Sequence, residues 1–120
     1  MTAPRASRVT ALLARGPGQP DGDIRCGVEL TVCLTPFGHL DPGECETLPG
    51  RVRRFWRDRA DWQGILQRID ENRWGLQAVD NPDEPLRELE ATVVRPGAYV
   101  TLRRPNGEEL VFRVVSVEDT

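Results

Sequence analysis

The stretch from Arg95 to Val117, RPGAYVTLRRPNGEELVFRVVSV, limits the fold more than any other part of the chain. Residues 98–103 and 108–117 are rich in Val, Thr, Tyr and Phe, the side chains that suit a pleated, half-buried surface, so both read as strands. Arg104-Pro105-Asn106-Gly107 joins them. A two-residue Asn-Gly loop would place Pro105 in the ladder, where it has no N–H to give, and would set Val100 opposite Arg113. A type I turn centred on Pro105 and Asn106, with Gly107 left-handed as a G1 bulge, moves the pairing by one residue. The pairs then become Arg104–Glu108, Arg103–Glu109, Leu102–Leu110, Thr101–Val111, Val100–Phe112 and Tyr99–Arg113. One face carries Ala98, Val100, Leu102, Leu110, Phe112 and Val114; the other carries Tyr99, Thr101, Arg103, Glu109 and Arg113. A one-residue slip inverts which side chains are buried, so the register with one wholly apolar face is the expected one.

Asp23–Leu34, DIRCGVELTVCL, alternates in the same way. Ile24, Cys26, Val28, Leu30, Val32 and Leu34 share one parity, which predicts a half-buried strand. Arg51–Arg57, RVRRFWR, reads as a strand with both faces partly covered. Residues 58–79 fit two patterns. Trp62, Ile65, Leu66 and Ile69 follow the spacing of one helix face, with Asp58 as a cap. Gly64 and the turn-like Asp70-Glu71-Asn72-Arg73 favour a hairpin instead. The periodicity tips the reading slightly towards the helix. One helical turn is expected at 86–90 and a short strand at 91–94. Arg95-Pro96-Gly97 suits a type II turn into the first hairpin.

With 120 residues, ten prolines and eleven glycines, the chain has the size of one domain of short elements and many turns. Residues 1–20 contain only the short apolar segment VTALLA and end in Gly16-Pro17-Gly18-Gln19-Pro20, and are expected to form a flexible arm. Residues 21–120 are expected to form a single mainly β domain, a small antiparallel barrel or roll with room for one short helix; an α+β arrangement is the alternative. No apolar run is long enough for a membrane span or a secretory leader, so neither a membrane partner nor export is expected, and the odd cysteine count suits a reducing cytoplasm.

The net charge of −3 conceals alternating blocks: residues 51–59 hold five Arg and one Asp, flanked on both sides by acidic stretches. Within and just beyond this block stand Arg51, Arg53, Arg54, Trp56, Arg57, Arg59 and Trp62, the candidate binding residues. Arginine and tryptophan anchor protein interfaces, and together they also pair with phosphates and stack on unpaired bases. The competing reading puts the aromatic residues in the core and pairs the arginines with the neighbouring acidic blocks. A non-enzymatic protein-interaction or accessory module, binding a protein partner or a second copy of itself, is therefore expected, with single-stranded nucleic-acid binding as the alternative.

Cys26, Cys33, His39 and Cys45 fall within twenty residues and are the side-chain types zinc prefers. They lack a C-x2-C knuckle. On one strand Cys26 and Cys33 leave opposite faces about 23 Å apart, so they cannot share an ion. Cys26 reads as core, Cys33 and Cys45 as incidental. A small enzyme using His39 and Cys45 is a third reading; it would need the imidazole to hold the thiol as thiolate. No metal or cofactor is expected, and no phosphate-cradling Gly loop, GxSxG or HExxH occurs.

Overall fold

The computed structural model describes residues 6–41, 50–70, 73–91 and 93–119. They form eight strands: β1 (Ala6–Arg15), β2 (Asp23–Cys33), β3 (Arg51–Trp56), β4 (Arg59–Arg68), β5 (Arg73–Ala78), β6 (Arg87–Glu90), β7 (Tyr99–Arg103) and β8 (Glu109–Asp119). Each strand pairs antiparallel with its neighbours in sequence, and β8 returns to β1, so the sheet closes into a barrel. Closure removes the unpaired edges that an open sheet must protect. No described residue is helical.

The β7–β8 hairpin has the register expected from its turn: Leu102 opposes Leu110, Val100 opposes Phe112 and Tyr99 opposes Arg113. Gly107 sits at φ 90°, and its N–H donates to the Arg104 carbonyl at 2.9 Å. The Asn106 side chain accepts the Glu108 N–H at 3.0 Å, which fixes the bulge. Val100, Leu102, Leu110, Phe112 and Val114 are all buried. The type II turn is also present, with Gly97 at φ 91° and the Ala98 N–H donating to the Arg95 carbonyl.

The expectation of a flexible arm is corrected. Ala6–Arg15 is a full strand between β2 and β8, and Val9, Ala11 and Leu13 are buried in the barrel. Inward residues alternate with Arg8, Thr10, Leu12 and Ala14, so the outer face turns apolar after Thr10 and the period is only weakly marked. The helix expected after Asp58 is likewise replaced by β4, the strand of the hairpin alternative. Gly64 explains the choice: a Cβ there would lie 2.5 Å from the Trp62 ring, so glycine makes room for the indole inside the barrel. The helical turn expected at 86–90 is β6, because Leu89 is needed between Trp74 and Leu102 to complete the inward layer. Ala91 and Val94 belong to the connection that follows, not to a strand.

Phe112, Leu30, Leu76, Leu89, Leu102 and Leu110 lead a filled interior, as expected for an eight-stranded barrel, whose bore is just wide enough for side chains. Each such residue contributes about 1.5–3 kcal/mol through burial. The up-and-down order sends the four connections 16–22, 57–58, 79–86 and 104–108 to one end, here called the mouth. The described parts of the other connections lie at the opposite end. There Val94 donates its N–H to the Gly38 carbonyl at 2.7 Å, and Arg95 reaches the Phe37 carbonyl at 3.2 Å.

Candidate functional site: the mouth of the barrel

In β3 the residues that share parity with Val52 point inward, and the next of these is Arg54. It is flanked across the sheet by Val28 on β2 and Trp62 on β4. A guanidinium therefore occupies a position where every neighbouring strand places an apolar side chain. Only 8% of Arg54 is exposed, and among the described residues no carboxylate forms an ion pair with it. Its Nε–H is buried without a hydrogen-bond partner. Burial, reinforced by the charges of Arg87, Arg104 and Arg59, lowers its pKa from the ordinary arginine value. Arginine starts so high that the side chain stays charged at neutral pH.

Arg87, at the start of β6, is the second arginine of this layer. Its side chain is 13% exposed and its Nη2 meets Glu84 at 3.5 Å, while Nη1 is buried with no partner. Its guanidinium lies 4.1 Å from the centroid of the Trp62 ring. The indole Nε1–H donates to Glu84 at 3.0 Å, so one carboxylate holds both members of the stack. Such a cation–π contact is worth about 0.5–2 kcal/mol, the larger values where water is excluded. Burial also lowers the pKa of Arg87, opposed by Glu84. Arg104, at the end of the β7–β8 hairpin, bears on both arginines and pairs with Glu108 at 3.2 Å. Beside this cluster is a cleft of about 170 Å³ lined by Trp56, Arg59, Arg104, Glu108 and neighbouring turn residues.

The seven candidate binding residues thus do not share one surface. Arg54 and Trp62 face into the mouth, Trp56 is partly buried against the core, and Arg57 and Arg59 stand exposed at its rim. Arg51 and Arg53 lie on the outer wall. Arg53 is held by Asp61 at 2.8 Å and Glu29 at 3.3 Å and covers the Phe55 ring, with its pKa raised chiefly by the Asp61 bond. Glu29 and Asp61 come from the two acidic stretches flanking the basic block, so this arginine takes the pairing that the competing reading foresaw. Arg57 pairs at 3.6 Å with Asp23. Arg87, Glu84, Arg104 and Glu108 are not among the candidate site residues, although the hairpin register already sets Arg104 opposite Glu108. Alternation would have found Arg87, two residues before the inward Leu89, had 86–90 been read as a strand.

His39 is exposed at the far end of the barrel, its N–H donating to the Thr35 hydroxyl at 3.1 Å. Cys26 is core as expected; Cys33, expected to be incidental, is buried where the chain folds back over it and Asp41 donates to its carbonyl. Cys45 lies outside the described residues. Among the described residues no three metal-ligating side chains are grouped closely enough to hold an ion. No described helix is long and apolar enough to cross a membrane.

The fold and site define a closed eight-stranded antiparallel barrel with an apolar interior and a basic, tryptophan-lined mouth. Comparison with known proteins finds no matching family model, no similar curated protein and no similar solved structure.

Proposed function

We propose that this barrel is a non-enzymatic interaction module that receives an acidic side chain of a partner protein at its mouth. One observation carries the reading: apart from Ser7 at the far end, the buried side chains of the bore are apolar except at this end, where Arg54 is buried and Arg87 nearly so, each with a donor to spare. A buried guanidinium without a partner costs several kcal/mol, which an incoming carboxylate would offset.

The charge pattern narrows the partner. Around the buried arginines the mouth connections carry exposed Asp21, Asp58, Asp80 and Asp83. The rim also carries exposed Arg57 and Arg59, but these four aspartates outnumber them, so the mouth suits a single acidic projection set among basic residues better than a long polyanion. Trp62 supports the same choice: one face is taken by Arg87 and its N–H by Glu84, so it is poorly placed to stack on a base.

Fluorescence anisotropy with three labelled probes tests the reading: a short peptide with one glutamate flanked by lysines, its glutamine counterpart, and a short oligothymidylate. The glutamate peptide is expected to bind about tenfold tighter than the glutamine peptide, a difference of about 1.4 kcal/mol. Preferential binding of the oligonucleotide, falling steeply with salt, would replace a protein partner with nucleic acid. Equal binding of both peptides would remove the acidic side chain from the account.

A further inference from the structure

We infer that Arg54 and Arg87 form a preorganised seat for one oxyanionic group, a carboxylate or a phosphoryl group, enclosed by the β3–β4 hairpin and the start of β6. The inference rests on the interaction reading above and goes further, by assigning the atoms that take the anion. The buried Arg54 Nε–H and Arg87 Nη1–H are the two buried side-chain donors left without a partner among the described residues. Both donors stand at the same end of the barrel on side chains that flank one indole: Arg54 pairs across the sheet with Trp62, and the Arg87 guanidinium lies 4.1 Å from the centroid of the Trp62 ring.

The two arginines are also held in place before any ligand arrives. The stem of Arg54 lies between Val28 and Trp62. Arg87 is stacked on Trp62 and held by Glu84. A guanidinium offers donors in a rigid planar fork, and two forks fixed by packing lose little freedom on binding. Glu84 occupies one donor of Arg87, and no carboxylate within ion-pairing distance neutralises Arg54 among the described residues, so like charges face one another. Arg59 and Arg104 add positive potential, Arg104 being partly offset by Glu108, and both line the adjoining cleft. An oxyanion would satisfy the unused donors and relieve the repulsion in one step. Low exposure strengthens that attraction relative to the same contact in water.

The test titrates the full chain with inorganic phosphate and, separately, with acetate, at constant ionic strength maintained with chloride, while following the arginine Nε–H signals by NMR. A saturable shift of the Arg54 Nε–H signal is expected with at least one of the two. Which of them acts separates a phosphoryl from a carboxylate source. Arg54→Gln and Arg87→Gln should each weaken that binding at least tenfold, whereas Arg51→Gln, on the outer wall, should leave it unchanged. Should either inner variant fail to fold, the wild-type Arg54 signal still decides. No saturable change with either anion, or the same response to chloride, overturns the seat and leaves two arginines satisfied by water. If the glutamate peptide binds but Arg54→Gln binds it equally well, the seat is wrong while the interaction module stands. If neither peptide nor anion binds, both fall.

Discussion

The β3–β4 and β7–β8 hairpins close at the same end of the barrel and obey the same alternation, yet they place opposite chemistry inside it. β7–β8 sends Val100, Leu102, Leu110 and Phe112 inward and finishes its polar groups on the outside, where Arg103 meets Glu109 at 3.1 Å. β3–β4 sends Arg54 inward beside Trp62 and leaves Arg53, with Glu29 and Asp61, outside. The first hairpin is organised to stabilise the domain. The second gives up part of that stabilisation and gains a charged group held in a dry setting, a usual mark of a binding site.

The largest effect expected from this contrast is at the apolar hairpin. Phe112→Ala should lower unfolding stability by about 3–5 kcal/mol, much of what a domain of this size possesses, as measured by urea denaturation. A loss below about 1 kcal/mol would show that the interior is not packed around that ring.

Next comes the turn. Gly107 holds a left-handed conformation, while no described residue other than glycine has positive φ. Gly107→Val should cost about 1–2 kcal/mol through backbone strain alone. Asp58→Ala, in the turn of the other hairpin, should change the urea midpoint little. Equal losses in the two turns would argue against the bulge.

On the outer wall, Arg53→Ala should cost about 0.2–1 kcal/mol despite its two ion pairs, because exposed pairs are screened and entropically expensive. A larger loss would move the weight of the β3–β4 hairpin from its inner face to its outer one.

The smallest effect is one of pH. The Asp23 carboxylate accepts the Arg25 N–H at 2.9 Å and lies near Arg25 and Arg57, so its pKa falls below the ordinary value, first through that backbone bond. A group depressed by folding contributes stability above its unfolded pKa, near 3.9, and loses that contribution as the pH falls through its folded value. Asp23→Asn should therefore be slightly less stable than wild type at neutral pH, with the gap closing in strong acid. A gap that widens on acidification would contradict the assignment.

These contrasts also show why the sequence was legible in places and opaque in others. In β7–β8 the turn residues and the strand parity point to one register, and only one register gives an apolar face. In β2, Val28, Leu30 and Val32 alternate with Glu29 and Thr31, and Cys26 continues the same parity. RVRRFWR carries Arg and aromatic residues on both parities, so nothing local says which arginine turns inward. Closure decides it, through Val28 on one side and Trp62 on the other. β4 was hidden because Trp62, Ile65, Leu66 and Ile69 mimic a helix face. Gly64, which looks like a breaker, in fact clears space for the indole. Arg87 and Arg104 join Arg54 from positions 33 and 50 residues further along the chain, a juxtaposition that short-range pattern cannot contain.

The central claim, that Arg54 is buried for binding and not for folding, is tested most directly by the urea stability of Arg54→Met in low-salt buffer without added oxyanion. Removing an unpaired buried charge while keeping an apolar stem should leave the barrel as stable as wild type or more stable, by about 1 kcal/mol or more. A loss of about 3–5 kcal/mol, the cost of breaking a satisfied buried ion pair, would show that the arginine already has its partner within the fold.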